Sequence, residues 1–224
     1  MNQPSNTLKE LNQKIWKCNK CTGCDFPSMA GYFPKNLDVL VIGQNPGQLH
    51  KRKSGWDDSE YAFNDEDWSK FQQDYAKGLM EAPLGKWLND GFQGRVIWGL
   101  TNIVKCRTES NLVDFEMQAN CRPWLQQQLL RLKPRIILIL GAQAWAWWKV
   151  LYSIDRAEGK LFYTERKYFN GLIMPLYHPA YKKYQHDKFT RQYFDKLVNV
   201  SQSKRLYTAA TKLNIIATSG ELIK

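Results

Sequence analysis

The segment VLVIGQNPGQ, Val39–Gln48, begins as an aliphatic run and ends as a polar turn. Gly43 closes the run and is followed by two carboxamides, Gln44 and Asn45, before a Pro-Gly pair. A continuous aliphatic run of this length is typical of a parallel strand that is covered on both faces. Ligands of such sheets bind beyond the carboxyl ends of the strands. The segment therefore predicts a parallel sheet and puts two uncharged amides where a ligand would bind.

Similar aliphatic runs alternate with helical patterns along the chain, and this alternation defines the fold class. We predict an α/β protein, a three-layer α/β/α sandwich with a central, mainly parallel four-stranded sheet. The predicted domain covers residues 1–200, and residues 201–224 form a C-terminal tail. The predicted strands are Asp38–Ile42, Val96–Leu100, Arg135–Leu140 and Gly171–Leu176, with a strand pair in Lys160–Phe169. The predicted helices are Leu8–Lys17, Trp68–Met80, Leu84–Asn89, Pro123–Leu132 with its proline in the first turn, the segment after Gly141, and Lys188–Val200.

The composition favours a nucleic-acid partner. The chain has 224 residues and a formal net charge of +11, an excess that favours a polyanion through counterion release. Aromatic residues make up 13% of the chain and could supply base-stacking platforms. The longest aliphatic run is too short to span a bilayer, and the N-terminus lacks the apolar region of a signal peptide. We therefore expect a soluble, cytoplasmic monomer that has no membrane partner.

The five cysteines indicate metal or redox chemistry, because disulfides are rare in intracellular proteins. Cys18, Cys21 and Cys24 form the motif CNKCTGC, whereas Cys106 and Cys121 lie far downstream. Spacing alone is compatible with a four-cysteine zinc site as readily as with an iron–sulfur cluster.

Three polar segments follow the predicted strands, namely GQNPG, TNIVKCR and YHPAY. Each is a weak signal by itself, because Gly and Pro at a strand end usually form only a turn. Together they are more specific, because the carboxyl ends of parallel strands face one cleft. The chain has only three histidines, and one of them lies in the last of these segments.

These motifs, in this order, resemble the uracil-DNA glycosylase superfamily, and in particular its iron–sulfur group, known as family four. The resemblance also includes a cysteine before RPWLQQQLLRLKP, IILILGAQA and MPLYHPAY, and it covers roughly Trp16–Leu197. It implies a single α/β/α domain that flips uracil out of DNA and removes it by hydrolysis, leaving an abasic site. The implied substrate and partner is uracil-containing DNA.

The resemblance also implies a role for the amides at the strand ends. Cleavage forms a sugar cation and a uracil anion, so the attacking water needs positioning more than deprotonation. Asn45 would hold this water, as in the mismatch-specific branch of the superfamily, whereas many iron–sulfur members have alanine there. Gly43 and Gln44 would lie against the base. His178 would hydrogen-bond uracil O2 as negative charge develops. Asn102 would accept from uracil N3–H and donate to O4.

The chain departs from the family pattern in two places. The family has a phenylalanine after the first motif that stacks on the flipped base, and we propose Trp56 for this position because of its distance from Gly43. The alternatives are Tyr61, Phe63 and Tyr75. After HPAY the family often has leucines that wedge into the duplex, but this chain has Lys182 and Lys183. We therefore expect DNA contacts from Tyr181, Lys182 and Lys183, with Tyr181 or Tyr184 as the wedge.

The cysteine pattern of the family implies a [4Fe–4S] cluster bound by Cys18, Cys21, Cys106 and Cys121. Zinc is the less favoured alternative. Cys24 is then left over, either as a small buried residue or as a competing ligand. We expect the cluster to have a structural rather than a redox role.

Three other functions remain open. The chain could remove other deaminated bases, such as hypoxanthine or xanthine, or it could be a non-catalytic module that binds damaged DNA. A basic metal-containing nucleic-acid-binding protein would explain the charge and the cysteines but not the amides. We favour a monofunctional glycosylase, because the first motif offers no lysine for a Schiff base.

Overall fold

The structure is a computed structural model that describes residues 7–22, 24–25, 28–46, 65–108, 112–152, 159, 161–178, 187–202 and 216–217. Its helices are α1 (Leu8–Trp16), α2 (Asp65–Glu81), α3 (Pro83–Phe92), α4 (Phe115–Leu132), α5 (Ala142–Tyr152) and α6 (Asp187–Ser201). Its strands are β1 (Cys24–Asp25), β2 (Val39–Gly43), β3 (Trp98–Asn102), β4 (Arg107–Thr108), β5 (Ile136–Leu140), β6 (Phe162–Arg166), β7 (Phe169–Leu176) and β8 (Ile216–Ala217).

The main sheet contains the four parallel strands predicted from the sequence, and two further strands extend it. Its order is β3-β2-β5-β7-β6-β8, with β3, β2, β5 and β7 paired in parallel. β6 runs antiparallel to β7, and β8 pairs with β6 in parallel. The sheet is therefore mainly parallel, as predicted, but has six strands rather than four. Strand β8 lies within the predicted tail, residues 201–224, yet pairs with the main sheet. The division into a domain and a tail stays a prediction.

Alternate residues of each central strand enter two different cores, and this confirms the three-layer α/β/α class. Val39 and Val41 of β2 pack on one face of the sheet, and Leu40 and Ile42 pack on the other, since successive strand residues point to opposite faces. The first core includes residues of α2, α3 and α6, namely Leu79, Leu88, Phe92, Phe194 and Leu197. The second includes residues of α4 and α5, namely Leu125, Leu129, Trp145 and Trp148.

Strand β3 begins and ends two residues later than predicted. Its register with β2 pairs Val39 with Trp98 at one end and Gly43 with Asn102 at the other. Trp98 and Leu100 are buried in the same core as Val39 and Val41, so packing favours this register. Asn102 is therefore the last residue of β3, the strand at one end of the sheet order, and it lies beside the end of β2.

Two predictions about local structure were wrong. Pro123 lies inside α4 rather than in its first turn, because the helix begins at Phe115, where the Asp114 carboxylate accepts the Met117 N–H at 2.7 Å. The strand pair also extends beyond Lys160–Phe169. Its second strand and the fourth parallel strand are one continuous strand, β7, which begins after a turn at residues 167–168.

Helix α1 holds the N-terminal cysteine segment against the domain. Thr7 and Glu10 form a capping box at its start, and Leu11 and Ile15 are fully buried in a cluster that Trp124 of α4 contacts. Within the described residues, none of the helices is both long and apolar enough to cross a membrane.

Candidate active site and cysteine cluster

The carboxyl ends of four adjacent parallel strands form one edge of the sheet. Asn102 ends β3, Gly43 ends β2, Gly141 follows β5, and His178 follows β7 by two residues. The three polar segments singled out in the sequence therefore begin at this edge, as predicted.

Asn102 and Gly43 are in close contact across the β2–β3 pair. A Cβ placed on Gly43 would lie 2.6 Å from Asn102 Oδ1, and Asn102 is only 6% exposed. The parallel pairing continues beyond the strands, because the N–H groups of Ile103 and Val104 donate to the carbonyls of Gly43 and Gln44 at 2.9 and 3.0 Å. The glycine thus gives the Asn102 amide room, and the backbone bonds hold Gln44 beside the 103–104 segment.

Asn45 carries a buried amide nitrogen that has no hydrogen-bond partner among the described residues. Gln44 and Asn45 are half-buried, and Pro46 after them is buried. A buried donor without a partner costs free energy unless something outside the chain satisfies it. The Asn45 amide is therefore suited to a bound water or ligand at the sheet edge.

The backbone around Gly141 supports the position of His178. Gly141 has a φ of +87°, which favours glycine, and its N–H donates to the Leu176 carbonyl at 2.8 Å. A Cβ on Gly141 would lie 3.5 Å from the Cβ of His178. His178 is exposed at the surface, yet desolvation by the surrounding protein lowers the pKa of its imidazole below the usual value. This desolvation favours the neutral form of the ring.

The aromatic and lysine candidates for DNA contact divide into two groups. Trp56, Tyr61, Phe63, Tyr181, Lys182, Lys183 and Tyr184 lie outside the described residues. Tyr75 lies on α2 and is 2% exposed, and burial raises the pKa of its phenol well above the usual range. Tyr75 is therefore a core residue and does not offer a surface on which a base could stack.

Four cysteines lie on three parts of the fold: Cys18 and Cys21 follow α1, Cys106 follows β3, and Cys121 lies on α4. Cys18 and Cys21 are half-buried, Cys106 and Cys121 are buried, and all four are thiols rather than disulfides. Ser28 connects the N-terminal cysteines to the downstream cysteines. Its hydroxyl donates to the Cys18 carbonyl at 2.9 Å and lies 3.1 Å from Cys106 Sγ. The structure thus brings the N-terminal pair to the downstream pair.

Several polar groups hydrogen-bond the cysteine sulfurs. The Lys105 N–H donates to Cys121 Sγ at 3.4 Å, and Asn120 Nδ2 donates to Cys21 Sγ at 3.5 Å. Burial raises the pKa of the Cys121 thiol to about 11, and Cys106 and Cys21 lie near enough to add to this shift. In the part of the chain that the structure describes, the side chains do not form a group of three or more potential ligands with metal-binding geometry.

Cys24, the leftover cysteine, lies on β1, where it pairs with Thr108 of β4. This two-stranded ribbon connects the CNKCTGC segment to the residues that follow Cys106.

Sequence reasoning missed a buried polar network behind Asn102. Lys105 is 1% exposed, and its Nζ donates to Thr101 Oγ1, the Asn102 carbonyl and Gln128 Oε1. Burial lowers the pKa of Lys105 to about 7, and the nearby Cys121 and Cys106 oppose this shift. The available signal was a lysine within the otherwise apolar stretch between Asn102 and Cys106. Gln128 gave no such signal, because it lies in a run of three glutamines.

Comparison with known proteins identifies a family over most of the chain. Residues 30–201 match the family model of the Uracil DNA glycosylase superfamily. The chain is similar to the Type-4 uracil-DNA glycosylase of Pyrobaculum aerophilum, with 30% identity over 188 residues that cover 77% of this chain and 83% of the relative.

Two further relatives carry the same name. The Type-4 uracil-DNA glycosylase of Sulfurisphaera tokodaii is 24% identical over 214 residues, which cover 90% of this chain and 88% of the relative. The Type-4 uracil-DNA glycosylase of Saccharolobus solfataricus is 27% identical over 182 residues, which cover 77% and 76%.

Proposed function

The chain belongs to the uracil DNA glycosylase superfamily, and we propose that it removes uracil from DNA by hydrolysis as the first step of base-excision repair. The relatives at 24–30% identity are named uracil-DNA glycosylases and cover most of the chain, which supports this proposal. The net charge of +11 suits a DNA substrate. The proposal includes a catalytic domain of residues 1–200 and a chain that acts as a monomer in the cytoplasm.

One observation carries the proposal, namely the unpartnered amide nitrogen of Asn45 at the sheet edge. Hydrolysis of the glycosidic bond passes through an electrophilic sugar cation, so a weakly nucleophilic water suffices if it is held in place. A carboxamide can hold a water without taking its proton, since it does not titrate. The buried Nδ2 of Asn45 has no other partner among the described residues and is free to donate to this water.

Asn102 and His178 recognise and stabilise the base in this proposal. The Asn102 amide accepts from uracil N3–H and donates to O4, and Gly43 gives it room. His178 is neutral because desolvation lowers its pKa, and a neutral imidazole donates one N–H to uracil O2 as negative charge develops. Gln44 borders the base, Trp56 stacks on it, and Tyr181, Lys182 and Lys183 contact the DNA.

The enzyme is monofunctional in this proposal and leaves the abasic strand intact. A lyase needs an accessible amine that attacks the sugar. Lys105 lies near the site, but its Nζ donates to three acceptors inside the protein. It is therefore not available to form a Schiff base.

The cysteine cluster suits a [4Fe–4S] centre. Cys18, Cys21, Cys106 and Cys121 would hold it, and four thiolates are the ligand set that such a cluster takes. The donors from Lys105 and Asn120 to the sulfurs are of the kind that stabilise cluster thiolates. The cluster would supply structural cross-linking between the N-terminal segment and the residues that follow β3. Zinc bound by the same four thiols is the alternative.

Incubation with defined oligonucleotides tests the proposed function. Duplexes carry uracil, hypoxanthine, xanthine or thymine opposite guanine, and alkali then cleaves any abasic sites. We expect alkali-dependent cleavage at uracil, an intact strand without alkali, and a large loss of activity in Asn45→Ala. Excision of only hypoxanthine or xanthine would indicate the deaminated-base alternative. Tight binding to damaged DNA without excision would indicate a binding module.

A further inference from the structure

Lys105 is a buried lysine whose Nζ lies within hydrogen-bond distance of three acceptors. Its Nζ lies 2.6 Å from the Asn102 carbonyl, 2.7 Å from Thr101 Oγ1 and 2.8 Å from Gln128 Oε1. An ammonium group has three N–H donors, so the three acceptors satisfy it completely. Burying a charged group is costly unless it is fully paired. A lysine that is 1% exposed therefore calls for a role that an apolar side chain could not fill.

Other parts of the fold hold two of these acceptors in place. The Thr101 hydroxyl donates to the Ala30 carbonyl at 2.8 Å. Gln128 Nε2 donates to the same carbonyl at 3.0 Å and to Asn12 Oδ1 at 3.2 Å. The acceptors are thereby anchored to α1, to α4 and to the segment before β2. Their positions determine where the ammonium lies.

The third acceptor is the backbone carbonyl of Asn102 itself. Lys105 Nζ donates to this carbonyl. The next residue, Ile103, donates its N–H to the Gly43 carbonyl of the neighbouring strand. Together these bonds fix the backbone at Asn102 and so hold its side-chain amide beside Gly43. Lys105 is also joined to the cysteine cluster through its N–H bond to Cys121 and to residue 29 through the bond that its carbonyl accepts.

We propose that Lys105 is a positioning residue for the Asn102 amide and acts by holding the end of β3. This inference rests on the proposed role of Asn102 in reading the base. Lys105 has no contact with the base in this arrangement, so its effect passes through Asn102. Its removal should lower the rate of excision with little effect on DNA affinity.

A double-mutant cycle tests whether Lys105 acts through Asn102. Lys105→Met removes the ammonium and keeps an unbranched side chain. We expect it to slow single-turnover excision of uracil by about 100-fold at saturating enzyme, the loss typical of a catalytic group displaced by about 1 Å. In an Asn102→Ala background the same change should alter the residual rate less than about threefold. Equal losses in both backgrounds, or an unchanged rate in Lys105→Met alone, would overturn the proposal.

Two further variants provide a matched pair at one acceptor. Thr101→Val removes the hydroxyl and keeps the shape, whereas Thr101→Ser keeps the hydroxyl. We expect a slower rate for Thr101→Val and a rate close to that of the wild type for Thr101→Ser. If Lys105→Met does not fold, these two Thr101 variants still test the positioning role of Lys105. Equal excision rates for Thr101→Val and Thr101→Ser would count against the proposal. Arg135→Met is the control, because Arg135 donates to the Ser201 carbonyl at 2.9 Å from the other end of β5.

Crystal structures of the variants separate this proposal from the proposed function. We expect the Asn102 amide to turn away from Gly43 in Lys105→Met and Thr101→Val and to stay in place in Thr101→Ser and Arg135→Met. An unmoved amide in the first two would refute the positioning role even if the wild type excises uracil. If the amide moves in these two variants but the wild type excises no base, the positioning role is supported and the proposed function is refuted.

Discussion

The Asn102 side chain occupies the space that a side chain on Gly43 would need. Asn102 Oδ1 lies 2.6 Å from the Cβ position of Gly43, and the two residues pair in register at the ends of β3 and β2. Apart from the two chain neighbours of Gly43, Asn102 is the only described residue with an atom within 4 Å of that position. The Asn102 amide, which we propose reads the base, therefore lies directly against the first motif.

Gly43→Ala should displace the Asn102 amide and slow uracil excision. A contact of 2.6 Å is too short for a real Cβ, so the amide must move. We expect a loss of about 100-fold in the single-turnover rate, as for a misplaced catalytic group. In an Asn102→Ala background the added methyl group has room and should change neither the rate nor the melting temperature. A Gly43→Ala variant as active as the wild type would contradict this contact.

Asn102→Asp should change the choice of base. Uracil offers N3–H and O4, whereas cytosine offers N3 and an amine, and an ionised carboxylate has only acceptors. The variant should repel O4 and accept from the cytosine amine. Sites built on such hydrogen bonds discriminate by about 10⁴-fold or more. We expect a severe loss of uracil excision with slow cytosine excision, measured on matched duplexes. Asn102→Ala is the control and should lose uracil activity without gaining cytosine activity.

His178 should make the protein less stable as the pH falls. Desolvation lowers the pKa of the folded-state imidazole, so the unfolded chain takes up a proton near pH 6.5 and the folded chain takes it up only at a lower pH. The free energy of unfolding therefore decreases as the pH falls through this range. Urea denaturation at pH 7.5 and 5.5 should show a smaller decrease for His178→Gln than for the wild type. Identical decreases would mean that His178 is not desolvated.

The cysteine cluster should hold iron. Anaerobically purified protein should be brown, absorb near about 400 nm and contain roughly four irons per chain. Cys121→Ser should lose the colour and much of the thermal stability, because metal binding contributes to folding. Cys24→Ser is the matched control and should keep both. Colourless wild-type protein with stoichiometric zinc would exclude the iron–sulfur assignment.

Lys182 and Lys183 should contribute to the salt dependence of DNA binding. Each phosphate contact adds about 0.9 to the slope of log K against log salt on duplex DNA. Replacing both lysines with alanine should flatten this slope by up to about two units for every sequence alike. Lys9 and Lys14 on α1 are exposed and provide a charge-matched control pair. A slope that changes equally in both double variants would mean that the effect is one of net charge alone.

The sequence by itself determined the fold class and the parallel core of the sheet. Four aliphatic runs alternate with helical patterns, and a strand buried on both faces needs apolar side chains at every position. The polar segments after these strands could be assigned to one edge because parallel strands end together. The family motifs added roles for Asn45, Asn102 and His178, which remain predictions.

Only the tertiary structure decided the contacts between these segments. The register that sets Asn102 against Gly43 depends on how β3 packs, and a periodic pattern cannot specify it to within one residue. The apolar neighbours of Lys105 indicate burial in the sequence, but the acceptors on Thr101 and Gln128 that make this burial possible meet only after folding. A buried charge is tolerated where distant residues satisfy every donor, and that arrangement is a property of the folded chain.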